Sequence, residues 1–385
     1  MIIKPKIRGF ICTTAHPAGC EEIVKKQVSY VKSKPPIEGA PSKVLVIGSS
    51  MGYGLASRIT AAFGMRAATI GVIYDKPALG NKTATAGWYN NEAFEKLAAA
   101  DGIYAKTVNG DAYSSETKEL VIDRIKKDWG MCDCVIYSLA SPRRTTDDGV
   151  TYNSVLKTIG NEYTNKSLDT RDDSIVKVTV SPATEKEIAD TVKVMGGEDW
   201  EEWIDTLTAA GAIDPKAVTI AYSYIGPELT HPLYKDGTIG KAKEHLAATA
   251  KKLEDKYEGL SAFVAVNKAL VTQSSSAIPV VPLYISCLFD VMKEKGIHEG
   301  TIEQMYRLFA DKIYGKTIET DDEGFIRMDD LEMRPDVQAE VAAKWEMINS
   351  DNCFELADID GYKTDFLNLF GFGLPDIDYD KDVEA

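Results

Sequence analysis

Short β-branched segments alternate with amphipathic segments along much of the chain. Between residues 44 and 63, an apolar run is followed by Leu55, Ile59 and Phe63 at helical spacing. Gly64 follows where a helix would stop. Six runs have the composition of buried strands, at residues 44–47, 69–74, 104–108, 134–137, 218–222 and 263–266. The alternation predicts an α/β fold of the Rossmann type, a doubly wound parallel sheet with helices on both faces.

Two regions extend beyond this repeating pattern. We expect a single enlarged domain over residues 1–385, with its core at 43–315, an insertion at about 141–215 and an acidic C-terminal extension at 316–385. One helical face of the insertion predicts core packing, because it collects Trp200, Trp203, Ile204 and Leu207. The extension carries clustered Asp and Glu residues, which predicts an outer layer with solvated charge.

Composition narrows the classes of function. The chain has 44 Lys and Arg against 59 Asp and Glu, a formal charge of −15. This charge repels nucleic-acid phosphates and anionic lipid, so we expect no nucleic-acid partner. The most apolar later run, residues 277–289, is too short to span a bilayer and contains Pro279 and Pro282, so we expect no stable membrane insertion. The six cysteines include no C-x-x-C pair and the four histidines are isolated, so we expect no metal site. No signal-peptide apolar core is found near residue 1, and we expect a cytoplasmic protein.

A glycine-rich segment follows the first predicted strand directly. Gly48, Gly52 and Gly54 give the spacing G-x-x-x-G-x-G and lead into the Leu55 helix. Such glycines allow a tight turn and let backbone N–H groups and the helix N-terminus approach a pyrophosphate. A purely structural glycine turn is the alternative. The pattern predicts a dinucleotide site at Gly48, Ser49, Ser50, Met51, Gly52 and Tyr53.

Residues that end the other predicted strands extend this site. Tyr74 and Asp75 end the second strand. A carboxylate there accepts hydrogen bonds from ribose hydroxyls and repels a 2′-phosphate, which favours NADH over NADPH. Lys76 weakens that preference, and a strand-terminal turn is the alternative role of Asp75. The third and fourth strands bring further candidates to the same edge, namely Asp111, Ala112, Leu139 and Ala140.

A tyrosine and a lysine follow the fifth predicted strand. Tyr234 precedes a long helical pattern that starts at Ile239. Lys243 shares the inward side of this pattern, whereas Lys241 lies about 200° around the helix. An ammonium beside a phenol lowers the phenol pKa, so this pair suits proton donation to a developing oxyanion. A packing role for Tyr234 and a snorkelling Lys243 are the alternatives.

Longer segments match the pattern of one family. The most specific match is the spacing Tyr-x8-Lys of Tyr234 and Lys243, and the others lie at residues 3–5, 15–20, 48–54, 86–90, 137–143, 194–200, 291–296 and 361–362. On these residues the chain resembles the trans-2-enoyl-CoA reductase and FabV-type enoyl-ACP reductase family, enlarged relatives of the short-chain dehydrogenases. Ordinary short-chain dehydrogenases use Tyr-x3-Lys, and other enoyl reductases of that superfamily use Tyr-x6-Lys.

The resemblance implies a reaction and roles for single residues. The reaction is NADH-dependent reduction of the carbon–carbon double bond of a trans-2-enoyl-CoA such as crotonyl-CoA, in fatty acid or fermentative metabolism. Tyr234 would donate the proton, Lys243 would contact NAD and Tyr224 would contact the substrate. The apolar segment 274–289 would line the acyl pocket. The NAD contacts would be the turn and strand-end residues given above, with Val271, Thr272 and Gln273 at the nicotinamide end.

Other functions stay open. The nearest is an enoyl-ACP reductase of fatty-acid synthesis, although residues 221–226 look more like the CoA-reductase branch. Ketone or alcohol redox of the ordinary short-chain type lacks its Tyr-x3-Lys spacing here. A dinucleotide-sensing binding protein without catalysis is the alternative outside enzymes. We expect a monomer, with a weak dimer as the alternative.

Overall fold

The computed structural model describes residues 1–9 and 11–384. Its strands, in chain order, are β1 (Ile7–Arg8), β2 (Ile11–Cys12), β3 (Lys43–Ile47), β4 (Ala68–Ile73), β5 (Ala105–Asn109), β6 (Cys132–Tyr137), β7 (Arg143–Thr145), β8 (Thr151–Asn153), β9 (Tyr163–Asp169), β10 (Ser174–Val180), β11 (Ile213–Ser223), β12 (Ser261–Val266) and β13 (Phe325–Arg327).

The helices connect and cover these strands. They are α1 (Pro17–Lys32), α2 (Gly52–Ile59), α3 (Ala86–Ala100), α4 (Ser115–Asp128), α5 (Glu185–Met195), α6 (Glu198–Ala209), α7 (Thr238–Lys256), α8 (Val281–Glu294), α9 (Thr301–Arg307), α10 (Pro335–Met347), α11 (Cys353–Leu356) and α12 (Ile359–Asn368).

A seven-stranded sheet forms the centre of the protein, in the order β13-β12-β11-β6-β3-β4-β5. Every neighbouring pair in it is parallel. The order reverses direction at β3, and ligands of such sheets bind beyond the carboxyl ends of the strands at this switch point. All six predicted strands belong to this sheet.

Helices cover both faces of the central sheet, so β3 is buried on both of its sides. Val44 and Val46 pack in the cluster that contains α1, α2, α3 and α9. Leu45 and Ile47 pack in the cluster that contains α4, α6 and α7. All four side chains are fully buried. The predicted doubly wound α/β fold is therefore confirmed.

The insertion contributes two antiparallel hairpins, β7–β8 and β9–β10, and the helices α5 and α6. The predicted helical face of α6 is buried without exception. Its indole rings are held by hydrogen bonds: Trp200 Nε1 donates to Thr219 Oγ1 at 2.8 Å, and Trp203 Nε1 donates to the Ala112 carbonyl oxygen at 3.1 Å. The predicted core role of this face is confirmed.

The C-terminal extension is more than an outer layer. It supplies β13, which pairs in parallel with β12 and becomes the edge strand of the central sheet. Asp329 and Glu332, which follow β13, are 1% and 0% exposed. The prediction of solvated charge is wrong at these two positions, because each carboxylate has protein partners: Asp329 pairs with Arg327, and Glu332 accepts hydrogen bonds from two tyrosines.

A third apolar cluster lies between the extension and the rest of the chain. It combines α8, α10 and α12 with Tyr234, Leu270 and Val271. This cluster buries residues 280–289 of the segment 274–289, mostly as the first part of α8, whereas Ser274 is exposed. Within residues 1–9 and 11–384, no helix has the length and apolar character that crossing a membrane requires.

We expect Trp203→Ala to lower the free energy of unfolding by about 3–5 kcal/mol, because a fully buried indole leaves a cavity and the Ala112 carbonyl loses its donor. Urea denaturation followed by circular dichroism measures this loss. Phe354→Ala is the control, since Phe354 is 56% exposed and should change stability by less than about 0.5 kcal/mol. Equal effects of the two substitutions would contradict a core role for α6.

Candidate active site

The glycine turn after β3 is held against the end of β6, with no room for a side chain at Gly48 or Gly54. Gly48 has φ +86°, and a Cβ atom there would lie 2.0 Å from the carbonyl oxygen of Ser138. A Cβ atom on Gly54 would lie 2.0 Å from the carbonyl oxygen of Gly48. Gly52, at φ +55°, also requires the left-handed region. Three glycines are therefore needed to bring the backbone of the turn to the sheet edge.

The same turn opens helix α2. Gly48 and Ser49 donate their backbone N–H groups to the Val72 carbonyl oxygen, which holds the turn over β4. No side chain among the described residues caps the start of α2 at Met51. The first N–H groups of the helix are therefore available to an anion, and the helix dipole favours negative charge there. This geometry fits the pyrophosphate of a dinucleotide.

Asp75 lies beyond the carboxyl end of β4, next to the turn. Its carboxylate accepts hydrogen bonds from Ser50 Oγ at 2.5 Å and from Thr85 Oγ1 at 2.7 Å. A Cβ atom on Gly87 would lie 2.4 Å from Asp75 Oδ2, so the start of α3 approaches the same carboxylate. Tyr74 points outward and is 77% exposed. The structure thus places Asp75 beside the turn, with one hydroxyl of the turn oriented towards it.

The remaining strand-end candidates lie along the same edge. Asp111 follows β5, and its Oδ1 accepts the backbone N–H of Tyr113 at 3.0 Å. Ala112 is buried against Trp203. Leu139 follows β6 with its Cδ2 close to Gly48, and Ala140 beside it is exposed. The topology of the parallel sheet brings these separate loops together.

Two tyrosines meet at the carboxyl end of β11. Tyr224 and Tyr234 pack edge to face, with ring centroids 4.6 Å apart. The Tyr224 hydroxyl donates to Glu332 Oε1 at 3.0 Å. Among the described residues, no protein group accepts or donates a hydrogen bond at the Tyr234 hydroxyl. Burial, followed by the negative charge of Glu332, raises the pKa of Tyr234.

Lys243 extends from α7 toward the same strand end. Its ammonium donates to the Tyr222 carbonyl oxygen at 2.9 Å, whereas Lys241 pairs with Glu244 at the surface. The predicted inward orientation of Lys243 is confirmed. The expected lowering of the tyrosine pKa by this lysine is not seen, because burial and Glu332 raise the pKa of Tyr234 and the ammonium is bonded to a carbonyl oxygen. Burial lowers the pKa of Lys243 to about 8.

The loop after β12 packs in the same apolar cluster as Tyr234, through Leu270 and Val271. Thr272 is held in a turn by Ser275, whose Oγ accepts the Thr272 N–H at 2.8 Å. Val271 is buried and Gln273 is exposed. The Tyr53 hydroxyl donates to the Lys268 carbonyl oxygen at 2.7 Å, which ties this loop to the glycine turn. This hydrogen bond therefore fixes the loop after β12 relative to the glycine turn.

Sequence reasoning missed several residues of this region. Glu332, Tyr284 and Lys268 are buried beside the tyrosines, and Arg58 is fully buried beneath the glycine turn. Arg58 donates to Asn91 and Thr107 side chains at 2.8 Å and lies over the Phe94 ring. A glutamate in an acidic segment and an arginine in an amphipathic helix both give the pattern of exposed residues. No signal in one sequence distinguishes them from solvated charge.

The fold and this edge define a dinucleotide-binding protein of the Rossmann type with a tyrosine and a lysine at the cofactor cleft. Three family models match the chain: "NAD(P)H binding domain of trans-2-enoyl-CoA reductase" at residues 2–80, "Trans-2-enoyl-CoA reductase catalytic region" at 82–314, and "Enoyl reductase FAD binding domain" at 320–383. The chain belongs to the trans-2-enoyl-CoA reductase family.

Individual relatives agree with the family models. A trans-2-enoyl-CoA reductase [NADH] of Ruminiclostridium cellulolyticum is 55% identical over 100% of this chain and 98% of its own length. An enoyl-[acyl-carrier-protein] reductase [NADH] of Cytophaga hutchinsonii is 57% identical with the same coverage. The structure of a Clostridium acetobutulicum trans-2-enoyl-CoA reductase in complex with NADH has a TM-score of 0.97 and 47% identity, covering 100% of this chain and 98% of that one.

These comparisons confirm the resemblance seen in the sequence. At the level of the family, the predicted oxidoreductase class and the NADH or NAD cofactor are confirmed as well. The names of the relatives also agree with an enoyl thioester as the substrate class. Two carriers, CoA and acyl-carrier protein, occur among relatives of nearly equal identity.

The name of the third family model implies a flavin, which the residues at 320–383 do not fit. The strand β13 is followed by Met328, Asp329 and Asp330 and not by a glycine turn that leads into a helix. Acidic residues greatly outnumber basic ones in this segment, and the buried Asp329 and Glu332 are already partnered. The diphosphate of a flavin dinucleotide would face negative charge here.

We expect Asp75→Asn to raise the ratio of kcat/KM with NADPH to kcat/KM with NADH by about tenfold or more, because the carboxylate that would repel a 2′-phosphate becomes neutral. Initial rates with the two cofactors and crotonyl-CoA measure the ratio. Asp101→Asn, at the far end of α3, serves as the control and should leave the ratio unchanged. An unchanged ratio in Asp75→Asn would remove Asp75 from the ribose site.

We expect the affinity for NADH to fall as the pH rises through about 8, by up to about tenfold at pH 9, because Lys243 is charged below its pKa and neutral above it. Fluorescence titration of NADH between pH 6.5 and 9 measures this change. Lys243→Arg, which stays charged, should remove the pH dependence, and Lys241→Met should keep it. A pH dependence that persists in Lys243→Arg would assign the titration to another group.

Proposed function

We propose that the protein catalyses the NADH-dependent reduction of the carbon–carbon double bond of a trans-2-enoyl-CoA, such as crotonyl-CoA, to the acyl-CoA. The observation that carries this proposal is the edge-to-face pair of Tyr224 and Tyr234 at the end of β11, where Lys243 bonds the Tyr222 carbonyl oxygen. This strand end lies at the sheet edge that bears the glycine turn. The relative from Ruminiclostridium cellulolyticum, named for this activity, supports it over the full chain. The place of the reaction would be fatty acid or fermentative metabolism.

Different residues of the site would bind different parts of NADH. Met51 and Gly52 would present backbone N–H groups to the pyrophosphate, and Ser50 and Asp75 would hold the adenosine ribose. Gly48 and Ser49, whose own N–H groups are bonded to the Val72 carbonyl oxygen, would form the wall of the turn against the cofactor. Tyr53, Asp111 and Ala112 would continue this surface. Leu139, Ala140, Val271, Thr272 and Gln273 would surround the nicotinamide end, and Lys243 would donate to its ribose. Bound NADH supplies the hydride for the β-carbon of the enoyl group.

Tyr234 would be the proton donor. Hydride addition places negative charge on the thioester oxygen, and a donor aimed at that oxygen stabilises the transition state. The Tyr224 proton is already directed at Glu332, whereas the Tyr234 hydroxyl has no protein partner among the described residues. The raised pKa of Tyr234 keeps this phenol protonated at neutral pH, so its proton is available when charge develops. Tyr224 would then contact the substrate through its ring edge.

The acyl chain would lie against α8 and the turn before it. Ile278, Val281 and Tyr284 are buried there, in the apolar cluster that also contains Tyr234. An apolar wall next to a proton-donating phenol suits a fatty acyl group whose reactive thioester must be held near Tyr234. This agrees with the role expected for the segment 274–289.

The alternative is reduction of an enoyl thioester carried by acyl-carrier protein. The Cytophaga hutchinsonii relative, 57% identical, has this name, so identity alone does not separate the two carriers. Both carriers deliver the same enoyl thioester to the tyrosines, and the difference lies in the surface outside the acyl pocket. We propose CoA as the carrier, a cytoplasmic location and a monomeric state, with a weak dimer as the alternative.

We expect Tyr234→Phe to lower kcat at least about a hundredfold while NADH still binds, because the substitution removes only the hydroxyl that donates the proton. Loss of NADH absorbance at 340 nm with crotonyl-CoA, and in parallel with crotonyl-ACP, measures turnover. Tyr104→Phe is the matched control, since Tyr104 precedes β5 at the opposite sheet edge and bonds Asp128.

Assays with the two substrates distinguish the remaining functional hypotheses. Turnover with crotonyl-ACP alone would assign the protein to acyl-carrier-protein substrates. NADH binding without oxidation on either substrate would favour a dinucleotide sensor. Full turnover by Tyr234→Phe would remove the proposed proton donor.

A further inference from the structure

Glu332 lies in the C-terminal extension, yet it reaches the centre of the tyrosine site. Its side chain is 0% exposed. Oε1 accepts hydrogen bonds from the hydroxyls of Tyr224 at 3.0 Å and Tyr284 at 2.7 Å. Oε2 accepts the backbone N–H of Ala269 at 2.7 Å. One carboxylate thus binds three donors that come from three different parts of the chain.

These three donors belong to three parts of the proposed reaction site. Tyr224 follows β11 and packs against Tyr234, the proposed proton donor. Ala269 opens the loop that leads through Val271 to Gln273, the proposed nicotinamide contact. Tyr284 lies on α8, the proposed acyl wall. Glu332 is therefore the only described side chain that bonds the tyrosine pair, the nicotinamide loop and the acyl wall at once.

We propose that Glu332 is a positioning residue that sets the geometry of hydride transfer by holding Tyr224 and the nicotinamide loop on its two carboxylate oxygens. The inference rests on the proposed function, because it concerns the distance between the hydride donor and the enoyl carbon. A displacement of about 1 Å between such groups lowers a reaction rate about a hundredfold. A bidentate anchor between Tyr224 and this loop prevents that displacement.

The three donors require both oxygens of the residue at position 332 to accept hydrogen bonds. Two hydroxyls and one N–H point at Glu332, and an ionised carboxylate accepts all three. A glutamine at this position could direct its NH₂ group at the Ala269 N–H, which cannot accept a hydrogen bond. Directed at the two phenols instead, the NH₂ group would require both phenols to turn their protons away, and in either orientation the negative charge that attracts these protons is lost. The glutamate charge also raises the pKa of both Tyr224 and Tyr234, after burial, and so keeps both phenols protonated.

Buried surroundings hold the carboxylate in place. Gln338 Nε2 donates to the Glu332 carbonyl oxygen at 2.7 Å and to the Tyr284 hydroxyl at 3.2 Å. Lys268 is buried nearby, donates to the Ala269 carbonyl oxygen and lies over the Phe289 ring. Burial raises the pKa of Glu332, and the positive charge of Lys268 and the hydrogen bonds from Tyr284 and Ala269 oppose that effect. These contacts therefore restrict the movement of the Glu332 side chain.

The test is the rate of hydride transfer in a single turnover. Enzyme with bound NADH is mixed with saturating crotonyl-CoA, and the absorbance at 340 nm is followed by stopped flow, with [4-²H]NADH used to identify the hydride step. We expect Glu332→Gln to slow this step at least about tenfold, with the Kd for NADH within about threefold of wild type. The rate refers to enzyme that has bound NADH, so a fraction of unfolded protein does not change it.

Asp329→Asn is the matched control. Asp329 is also a buried carboxylate after β13, but it pairs with Arg327 and contacts neither tyrosine nor Ala269. We expect it to lower thermal stability and to leave the hydride-transfer rate within about twofold of wild type. Glu332→Asp, which keeps the charge but retracts it by one methylene, is the second variant and should give a rate between wild type and Glu332→Gln.

The outcomes separate the two proposals. A wild-type protein that oxidises NADH with neither crotonyl-CoA nor crotonyl-ACP would overturn the proposed function, and this inference with it. A normal hydride-transfer rate in Glu332→Gln or in Glu332→Asp, in an active wild-type background, would overturn the role of Glu332 alone. Equal slowing in Asp329→Asn would also overturn it, because the effect would then be general to buried carboxylates of the extension.

Discussion

The close contact between the glycine turn and the neighbouring strand is the constraint on which the site depends. The turn after β3 passes so near the Ser138 carbonyl that Gly48 has no space for a side chain. This contact brings the start of α2, with its free backbone N–H groups, to the carboxyl edge of the sheet, where the reversal of strand order opens a crevice. The buried guanidinium of Arg58 supports the turn from below, since Gly71 leaves room for it.

Local N–H groups also resolve an electrostatic difficulty. A chain with a net charge of −15 repels a diphosphate at long range. Within a few ångströms, the helix dipole of α2 and the ammonium of Lys243 provide positive potential where the overall charge does not. Most of the excess acidity lies in the extension, whose exposed carboxylates face solvent. Among the described residues of the extension, Asp329 and Glu332 are the carboxylates that are fully buried, and each has a specific partner.

The extension and the core therefore form one functional unit. Its strand β13 closes one edge of the sheet, α10 and α12 pack on α8, and Glu332 reaches the tyrosine pair. A segment matched by a model named for flavin binding thus contributes an edge strand to the central sheet and a buried carboxylate bonded to Tyr224. The acidic surface of this segment does not suit a diphosphate.

The sequence by itself determined the periodic elements and the local motifs. Six strands, the helix after Gly54, the buried face of α6 and the inward side of Lys243 follow from spacing, because burial imposes a period of two or 3.6 residues on any strand or helix. The spacing of Tyr234 and Lys243, with the longer matching segments, pointed to the family.

The tertiary structure alone decided which residues meet across long distances in the chain. The three-residue strand β13 is too short for a periodic signal, and Glu332 has the same local pattern as its solvated acidic neighbours. The pKa of Tyr234 was expected to be lowered by Lys243, but burial and Glu332 raise it, since proximity of charges depends on packing and not on spacing along one helix. Contacts between residues about a hundred positions apart are set by the fold, and no local pattern encodes them.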